Sequence, residues 1–551
     1  MKASIVPDAD GRGPLATSFF EAARKYRLDV CITLCLFAAA ALLTGRAWRF
    51  AYDVENFYFS LMHLTFVQKL NVGDIHSPLP LLFFAGLRQL GFDDPAIRLV
   101  SLAATGIALA LTQLLTFALL EKRGECLLHI RFLAIVLFAL TPLSLGMGDS
   151  IRWYPLFAFA ISLFLTFYLA GGNKYWRLAA GAMLGVAASI DFLTIFVALP
   201  FAIYRYGLER QFRFRFEAVF WGLAVVFGSA GLWSAYGVAT NAALYTLGNV
   251  QFTNSRLNAI AQNILGFFGG NAVGIGQAWL LLPAALITVV AGVLLIDKRH
   301  RAVPTHLFLL MLCTPIIMAL SGFAEPRVFI YLAPIAVAVQ ILFLRDKGAN
   351  LVLVCGAALL VAELGTVANL YHTAAPFKRE SSIPHASVID FVKGNQEGAT
   401  LVVTTDQVLA DVLAQDLHAA SCTSLLFETR SCFDASRHYD TIFLLYGYSA
   451  ISDVHQNIYL TTKSPPIDMA RSLPNALTVG LGSGPGAKAQ SAAADQLAAW
   501  LGSSKPAARV HFGEDTDAAL KSRLTHTNLD PYLLTAEFFP LSTTGFMGAR
   551  P

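Results

Sequence analysis

The chain is 551 residues long, 56% hydrophobic and only 14% charged, with a formal net charge of +4 and a mean hydropathy of +0.58. Too few charges are present to cover a water-soluble globule of this length, which excludes an ordinary soluble enzyme and implies a polytopic α-helical membrane protein in contact with a lipid bilayer. The basic residues fall in short clusters between apolar runs and nothing resembles a base-stacking or groove-reading module, so nucleic acid is excluded as a partner.

Apolar runs and basic loops alternate along the chain. Residues 1–27 form a polar segment whose Arg24, Lys25 and Arg27 hold it on the cytoplasmic side. A first span from Leu28 to Gly45 follows, with no small-residue cleavage site after it, and so reads as an uncleaved anchor. Residues 46–96 are then the first outer loop. Within it Leu79 to Leu90 is apolar but too short to cross, and is expected to lie along or re-enter the outer surface. A second span from Ile97 to Leu120 returns to Glu121, Lys122 and Arg123. A third ends near Gly148, and a fourth runs from Trp153 to Lys174 and Arg177. A tight pair turns outside at Asp191 and comes back to the basic loop Arg205 to Arg215. Further spans are expected at Phe216 to Val238, Trp279 to Lys298, Thr305 to Gly322, Val328 to Leu344 and Leu351 to Leu370. The total is about eleven crossings, an odd number, which places everything after Tyr371 outside.

Composition changes in that tail. In residues 376–551, short β-like runs (Thr400 to Val403, Ser424 to Phe427, Thr441 to Tyr446) flank a helix-compatible stretch from Gln407 to Ala420, the pattern of a small soluble α/β domain. The segment Gly480 to Gly486 lacks the spacing of a dinucleotide fingerprint and the Lys-Ser/Thr of a P-loop, and reads as a connection. Five of the seven cysteines, Cys31, Cys35, Cys126, Cys313 and Cys355, lie in or beside spans, where a thiol acts as a small apolar residue. Cys422 and Cys432 lie in the tail, where an oxidising compartment would permit a disulfide; the sequence leaves its formation open.

Ionisable residues beside the bilayer are functional candidates because placing them there costs free energy. They gather on the outer face: Asp53, Glu55, Asp74 and His76 in the first outer loop, Asp149, Arg152 and Tyr154 before the fourth span, Asp191 at the next turn, and Glu325 and Arg327 before a late span. A carboxylate can deprotonate an acceptor hydroxyl while guanidinium groups neutralise a departing phosphate. Each residue also has a plainer role. Asp53 is a solvated span end on that view, and Asp74 and His76 cap a helix. Arg152 and Arg327 snorkel to the interface, Trp153, Tyr154 and Tyr331 form an aromatic belt, and Asp191 holds a hairpin. Asp53, Glu55 and His76 also offer the O and N ligands of a divalent-cation site, although no cofactor is required by the pattern.

The order of these elements resembles the GT-C glycosyltransferases, especially the bacterial aminoarabinose, family 39 mannosyl and rhizobial galacturonosyl transferases. Four matches carry it: Asp53-Val54-Glu55 after the first span, His76-Ser77-Pro78-Leu79-Pro80 leading into a surface helix, Arg152-Trp153-Tyr154 opening the fourth span, and Arg327 with Tyr331-Leu332-Ala333-Pro334 beginning a late span. The match covers residues 28 to 370. It departs from the family pattern in the spacing of Asp53 and Glu55, in Ser77, and in Asp149. The resemblance implies a GT-C-like domain over residues 28–372 with an outer domain over 376–551. It also implies an inverting transfer of a hexose or pentose from a polyprenyl-phosphate-linked sugar to an envelope glycolipid, glycan or protein. The site would open on the periplasmic face of a bacterial inner membrane. Asp53 would be the base with Glu55 beside it, Arg152 and Arg327 would hold the donor phosphate, and Asp74, His76, Tyr154 and Tyr331 would orient substrate. A non-enzymatic transporter or flippase of lipid-linked sugars is the alternative, but its usual repeated halves are missing and the charges cluster on one face. An O-antigen ligase would need its large outer loop between late spans.

The alternation sets a topology that cysteine-accessibility labelling of intact cells can check. Single cysteines at Lys122, Arg210 and Arg299 should stay protected, and those at Asp53 and Asp149 should react. Outside labelling at position 299 would reverse the active face.

Overall fold

The computed structural model describes residues 15–44, 78–122, 127–171, 174–208, 212–232, 260, 263–264, 268, 281–295, 303–320, 326–373, 391–396, 398–404, 413, 422–425, 440–449, 508–512 and 532–540. The chain divides into two compact units, one holding the helices and one the strands. The chain is a multi-pass membrane protein. Five helical stretches among the described residues are long and apolar enough to cross a bilayer: Arg27–Thr44, Pro95–Glu121, Leu128–Met147, Trp153–Ala170 and Ala349–Ala368. Four shorter apolar stretches are Phe192–Leu208, Leu282–Leu295, Thr305–Leu320 and Ala333–Leu344.

The helical unit begins with α1 (Leu15–Lys25) and α2 (Arg27–Thr44). The expected polar segment 1–27 thus contains a helix, because Phe19, Ala22 and Tyr26 share one face and are buried. Tyr26 stacks on Phe117, and Lys25 pairs with Glu121 at 2.9 Å. Helix α3 (Pro78–Gln89) covers the apolar stretch too short to cross, with Leu81, Phe84 and Ala85 buried, and α4 (Asp94–Glu121) follows it. Asp93 caps α4 by accepting from the Ala96 amide at 2.9 Å, and a proline occupies its first turn, where a missing N–H is harmless. Helices α5 (Leu128–Ala139) and α6 (Pro142–Met147) make up the third span. Arg131 of α5 grips the Asp29 carboxylate of α2 through two bonds of 2.9 Å.

Helices α7 (Trp153–Ala170) and α8 (Lys174–Ile190) lead to a 3₁₀ turn, Phe192–Thr194, and to α9 (Ile195–Ala202). Asp191 caps that turn through the Leu193 amide at 2.9 Å. Pro200 inside α9 cannot donate to the Phe196 carbonyl four residues back. The Thr314 hydroxyl donates to that carbonyl instead, at 3.1 Å, and the helix continues as a π turn over Ile203–Leu208. That turn delivers Arg205, nearly fully buried, to Glu217 of α10 (Phe214–Phe227). Its Nε lies 3.0 Å from both carboxylate oxygens, and its Nη1 donates to the Tyr168 hydroxyl of α7.

The remaining helices are α11 (Leu282–Leu295), α12 (Val303–Leu312), α13 (Thr314–Leu320), α14 (Ala333–Leu344) and α15 (Ala349–Thr373). Two expectations change here. The span expected from Thr305 to Gly322 is broken at Cys313, because Pro315 cannot continue the ladder and the Cys313 amide turns back to Leu310. The span expected from Val328 starts instead with a 3₁₀ segment, Pro326–Tyr331, and its α-helix begins only at Ala333, with Pro334 in the first turn. Cys31, Cys35, Cys313 and Cys355 are free thiols, as expected of cysteines in spans.

In the other unit, β1 (Thr400–Thr404), β2 (Cys422–Leu425), β3 (Thr441–Ser449), β4 (Ala508–Phe512) and β5 (Tyr532–Pro540) form one mixed sheet of order β2-β1-β3-β5-β4. The first three strands pair in parallel, the pattern of chain crossovers, and β5 pairs antiparallel to both β3 and β4. Leu401, Val402, Phe443 and Leu445 are buried. The second strand lies two residues earlier than expected, and β4 and β5 were not foreseen. Cys432 and the stretch Gln407 to Ala420, apart from Leu413, lie outside the described residues, as does the segment Gly480 to Gly486.

Helices α8 and α10 meet backbone to backbone at Gly181 and Gly185, a Gly-x-x-x-Gly spacing. A methyl group at Gly181 would stand 2.6 Å from the Phe220 carbonyl, and one at Gly185 would collide with that of Ala224. Gly222 of α10 has open space. Gly185→Val should therefore lower the thermal midpoint of purified protein by an overpacking cost of about 1–3 kcal/mol or more. Gly222→Ala should leave it unchanged or raise it, since alanine favours a helix by up to about 1 kcal/mol over glycine.

Candidate functional site

Motif residues from distant parts of the chain converge at one end of the helical unit. Arg152 is the N-cap of α7, in extended backbone that turns the chain from α6 into the helix. Its guanidinium lies 5.5 Å from the ring centroid of Tyr154. Trp153 packs on Tyr154 at 4.3 Å and edge-on against Phe157, one turn along, at 5.5 Å. Phe157 in turn meets Tyr331 edge-on at 5.0 Å. A continuous aromatic wall therefore joins Arg152-Trp153-Tyr154 to the Tyr331 of the late motif, with both Phe157 contacts in the edge-to-face geometry that quadrupoles favour.

Burial separates the sharp reading of these residues from the plain one. Trp153, Tyr154 and Tyr331 are at most 2% exposed, so they are not an aromatic belt facing lipid headgroups. Arg152 is 9% exposed and lies against protein, which is not the posture of a snorkelling side chain. The 3₁₀ segment explains the position of Tyr331: it turns the chain so that the ring enters the bundle before α14 begins. Asp191, fully buried, lies near enough for its charge to act on the buried Tyr331 hydroxyl. The residue expected only to hold a hairpin does hold it and also borders this wall.

A second guanidinium here was not foreseen. Arg98, one turn into α4, is 2% exposed and its Nη1 approaches the Asp149 carbonyl at 3.5 Å. The sequence carried a signal for it, a basic residue in the first turn of a span on the face opposite the basic loops, but it was read as part of the span. Asp149 itself is 3% exposed, so protein would shield a cysteine there from the label on either side of the membrane, and position 149 does not report topology as the sequence alone suggests. The described charges at this end are thus two guanidiniums and two carboxylates, all buried, an arrangement that is costly unless it is paired or functional.

The structure places the other expected residues unequally. Arg327 lies in the 3₁₀ segment before Tyr331, and its side chain is outside the described residues. Asp53, Glu55, Asp74 and His76, and with them the divalent-cation option, are also outside, as is Glu325. The described part of the site can hold an anion beside an aromatic surface. Any base must come from elsewhere in the chain or from Asp149 or Asp191.

No protein-family model matches the sequence, nor does any curated protein. Among solved structures, ArnT from Cupriavidus metallidurans in the apo state is similar in fold, with a TM-score of 0.51, 13% identity, and 77% of this chain and 93% of that chain covered. The same protein bound to undecaprenyl phosphate aligns with a TM-score of 0.49 at 12% identity over equal shares of the two chains. The likeness rests on the apo form. The chain shares the fold of ArnT, in keeping with the resemblance that the order of its motifs carries.

Proposed function

We propose that the protein is an integral-membrane, inverting GT-C glycosyltransferase that moves a monosaccharide from a polyprenyl-phosphate carrier to an envelope glycolipid, glycan or protein on the periplasmic face of the inner membrane. The observation that carries this reading is the wall from Arg152 through Phe157 to Tyr331, which unites two of the four family motifs inside a GT-C fold. A buried guanidinium beside stacked rings suits a phosphate joined to a sugar: the charge meets the phosphate and the ring faces meet the pyranose or the first isoprene unit. The polyprenyl phosphate seen with ArnT is a ligand of that chemistry.

In this proposal the acceptor hydroxyl attacks the anomeric carbon, its proton passes to Asp53, and the bond to the carrier phosphate breaks. Arg152 and Arg327 take up the charge left on the phosphate. Glu55 stands beside the base, and Asp74 and His76 orient substrate in the first loop, as in the family resemblance. The C-terminal unit, over residues 376–551, is an accessory α/β domain on the same side of the membrane. Envelope glycolipid mass spectrometry with and without the gene tests the function directly. A missing mass increment names sugar and acceptor together, and identical spectra, with no glycan or protein modification lost, refute the transferase.

Two sets of variants probe the roles. Asp53→Asn should leave the protein inserted and stable while transfer from a polyprenyl-phosphate sugar falls by about 10²- to 10⁴-fold. Loss in Glu55→Gln alone would move the base two residues along, and loss of wild-type transfer with a chelator would establish the cation site. Arg152→Lys and Arg327→Lys keep the charge but lose the bidentate fork, so each should raise KM for the donor. Full turnover by both at limiting donor would mean that neither holds the phosphate.

A further inference from the structure

The face of α4 that carries Arg98, Ser101 and Thr105 is buried against the turn that ends in Arg152. These residues fall at i, i+3 and i+7, one stripe of the helix, and are at most 2% exposed. Two of them bond to successive carbonyls of the turn. Thr105 Oγ1 has two acceptors for its one proton, the Gly148 carbonyl at 3.0 Å and, farther off, the Ser101 carbonyl of its own helix at 3.2 Å, and Arg98 Nη1 approaches the Asp149 carbonyl at 3.5 Å. The turn closes on itself as well: the Gly148 amide donates to Ser144, and both the amide and the hydroxyl of Ser150 donate to Met147. Gly148 permits the approach. A side chain there would meet Thr105 Cγ2 at 3.0 Å and run into the Ser144 carbonyl.

Backbone carbonyls in a water-poor bundle must be bonded, and a turn with both its carbonyls tied to a neighbouring helix has few other conformations open to it. Arg152 follows three residues after Asp149 and opens α7. We infer that Thr105 and Arg98 are positioning residues: they clamp the turn 148–151 to α4 and so fix the guanidinium of Arg152 for an anionic ligand. The assignment of that ligand as a polyprenyl phosphate rests on the proposed transferase reading, whereas the clamp itself does not. The stripe is distinct from the motif residues, and nothing in the motif order points to Thr105 or Gly148.

The test uses full-length protein in lipid nanodiscs. Thr105→Val keeps the shape and removes the donor, and Thr105→Ser restores it. The first readout is the rate at which phenylglyoxal modifies Arg152, followed by peptide mass spectrometry, which requires no substrate. Loss of one hydrogen bond should raise that rate by about 2- to 10-fold in Thr105→Val, with Thr105→Ser near wild type. The second readout is affinity for undecaprenyl phosphate. It should weaken by a similar factor in Thr105→Val, and the same substitution should add nothing in an Arg152→Ala background, because the effect passes through Arg152. An unchanged modification rate in Thr105→Val overturns the clamp, as does an effect on affinity that persists fully without Arg152. Wild-type protein that shows no affinity for undecaprenyl phosphate, together with the expected change in modification rate, would leave the clamp standing and remove the transferase reading. Should Thr105→Val fail to fold, Arg98→Lys gives the same readouts through the other carbonyl.

Discussion

Water cannot complete hydrogen bonds inside an apolar bundle, so every polar group in it must find its partner within the chain. Much of the described bundle follows that constraint, although Ser101, Ser144 and Glu363 each keep a buried side-chain oxygen outside any hydrogen bond. The buried threonines of the spans return their hydroxyls to the carbonyl one turn back, as Thr33, Thr112, Thr116 and Thr166 do. Charges are spent in pairs, Arg131 with Asp29 and Arg205 with Glu217. Where Pro200 leaves a carbonyl open, a hydroxyl from another helix, Thr314, closes it. That last bond ties α9 to the start of α13, so the repair of one helix's backbone also fixes its neighbour.

Much of this was legible in the sequence because it depends on local chemistry. Apolar length marked α2, α4, α7 and α15 within a few residues, and Asp191 stood where a hairpin needs a cap. Period-two runs marked β1 and β3. What was not legible depends on partners far away in the chain. Burial of Tyr26 requires Phe117, and a span-end tyrosine in isolation looks like an interfacial one. Tyr154 and Tyr331 looked like a belt for the same reason, since only the intervening Phe157 shows that they face each other's surroundings and not lipid. Strands β4 and β5 are distant in sequence from β3, and the pairing of β5 with both β3 and β4 has no local signature. The prolines were visible throughout, but whether a proline ends a span or merely bends it depends on what else can bond the freed carbonyl.

The two ends of the helical unit use charge differently. At one end Arg205 has the Glu217 carboxylate, the Tyr168 hydroxyl and the faces of Tyr168 and Phe216 around it, a set that saturates a guanidinium. Such a pair is strongly destabilised if one partner is removed, by about 3–5 kcal/mol, and offers nothing to a ligand. At the other end Arg152 and Arg98 lie beside the Tyr154 ring and the Asp149 carbonyl, with the carboxylates of Asp149 and Asp191 buried at the same end. Equally buried arginines of one chain thus sit in two settings, a closed ion pair in one case and a mixed cluster of charge, ring and backbone in the other.

The seam between α8 and α10 bears on which parts of the helical unit can yield. Gly181 and Gly185 bring the backbones together, with the Phe220 and Phe227 side chains lying along the line and Ser189 bonding the Phe227 carbonyl across it. Parting these helices would break main-chain contact along several turns, so any opening of the bundle costs least at a seam lined by large side chains that can change rotamer, and most at this one.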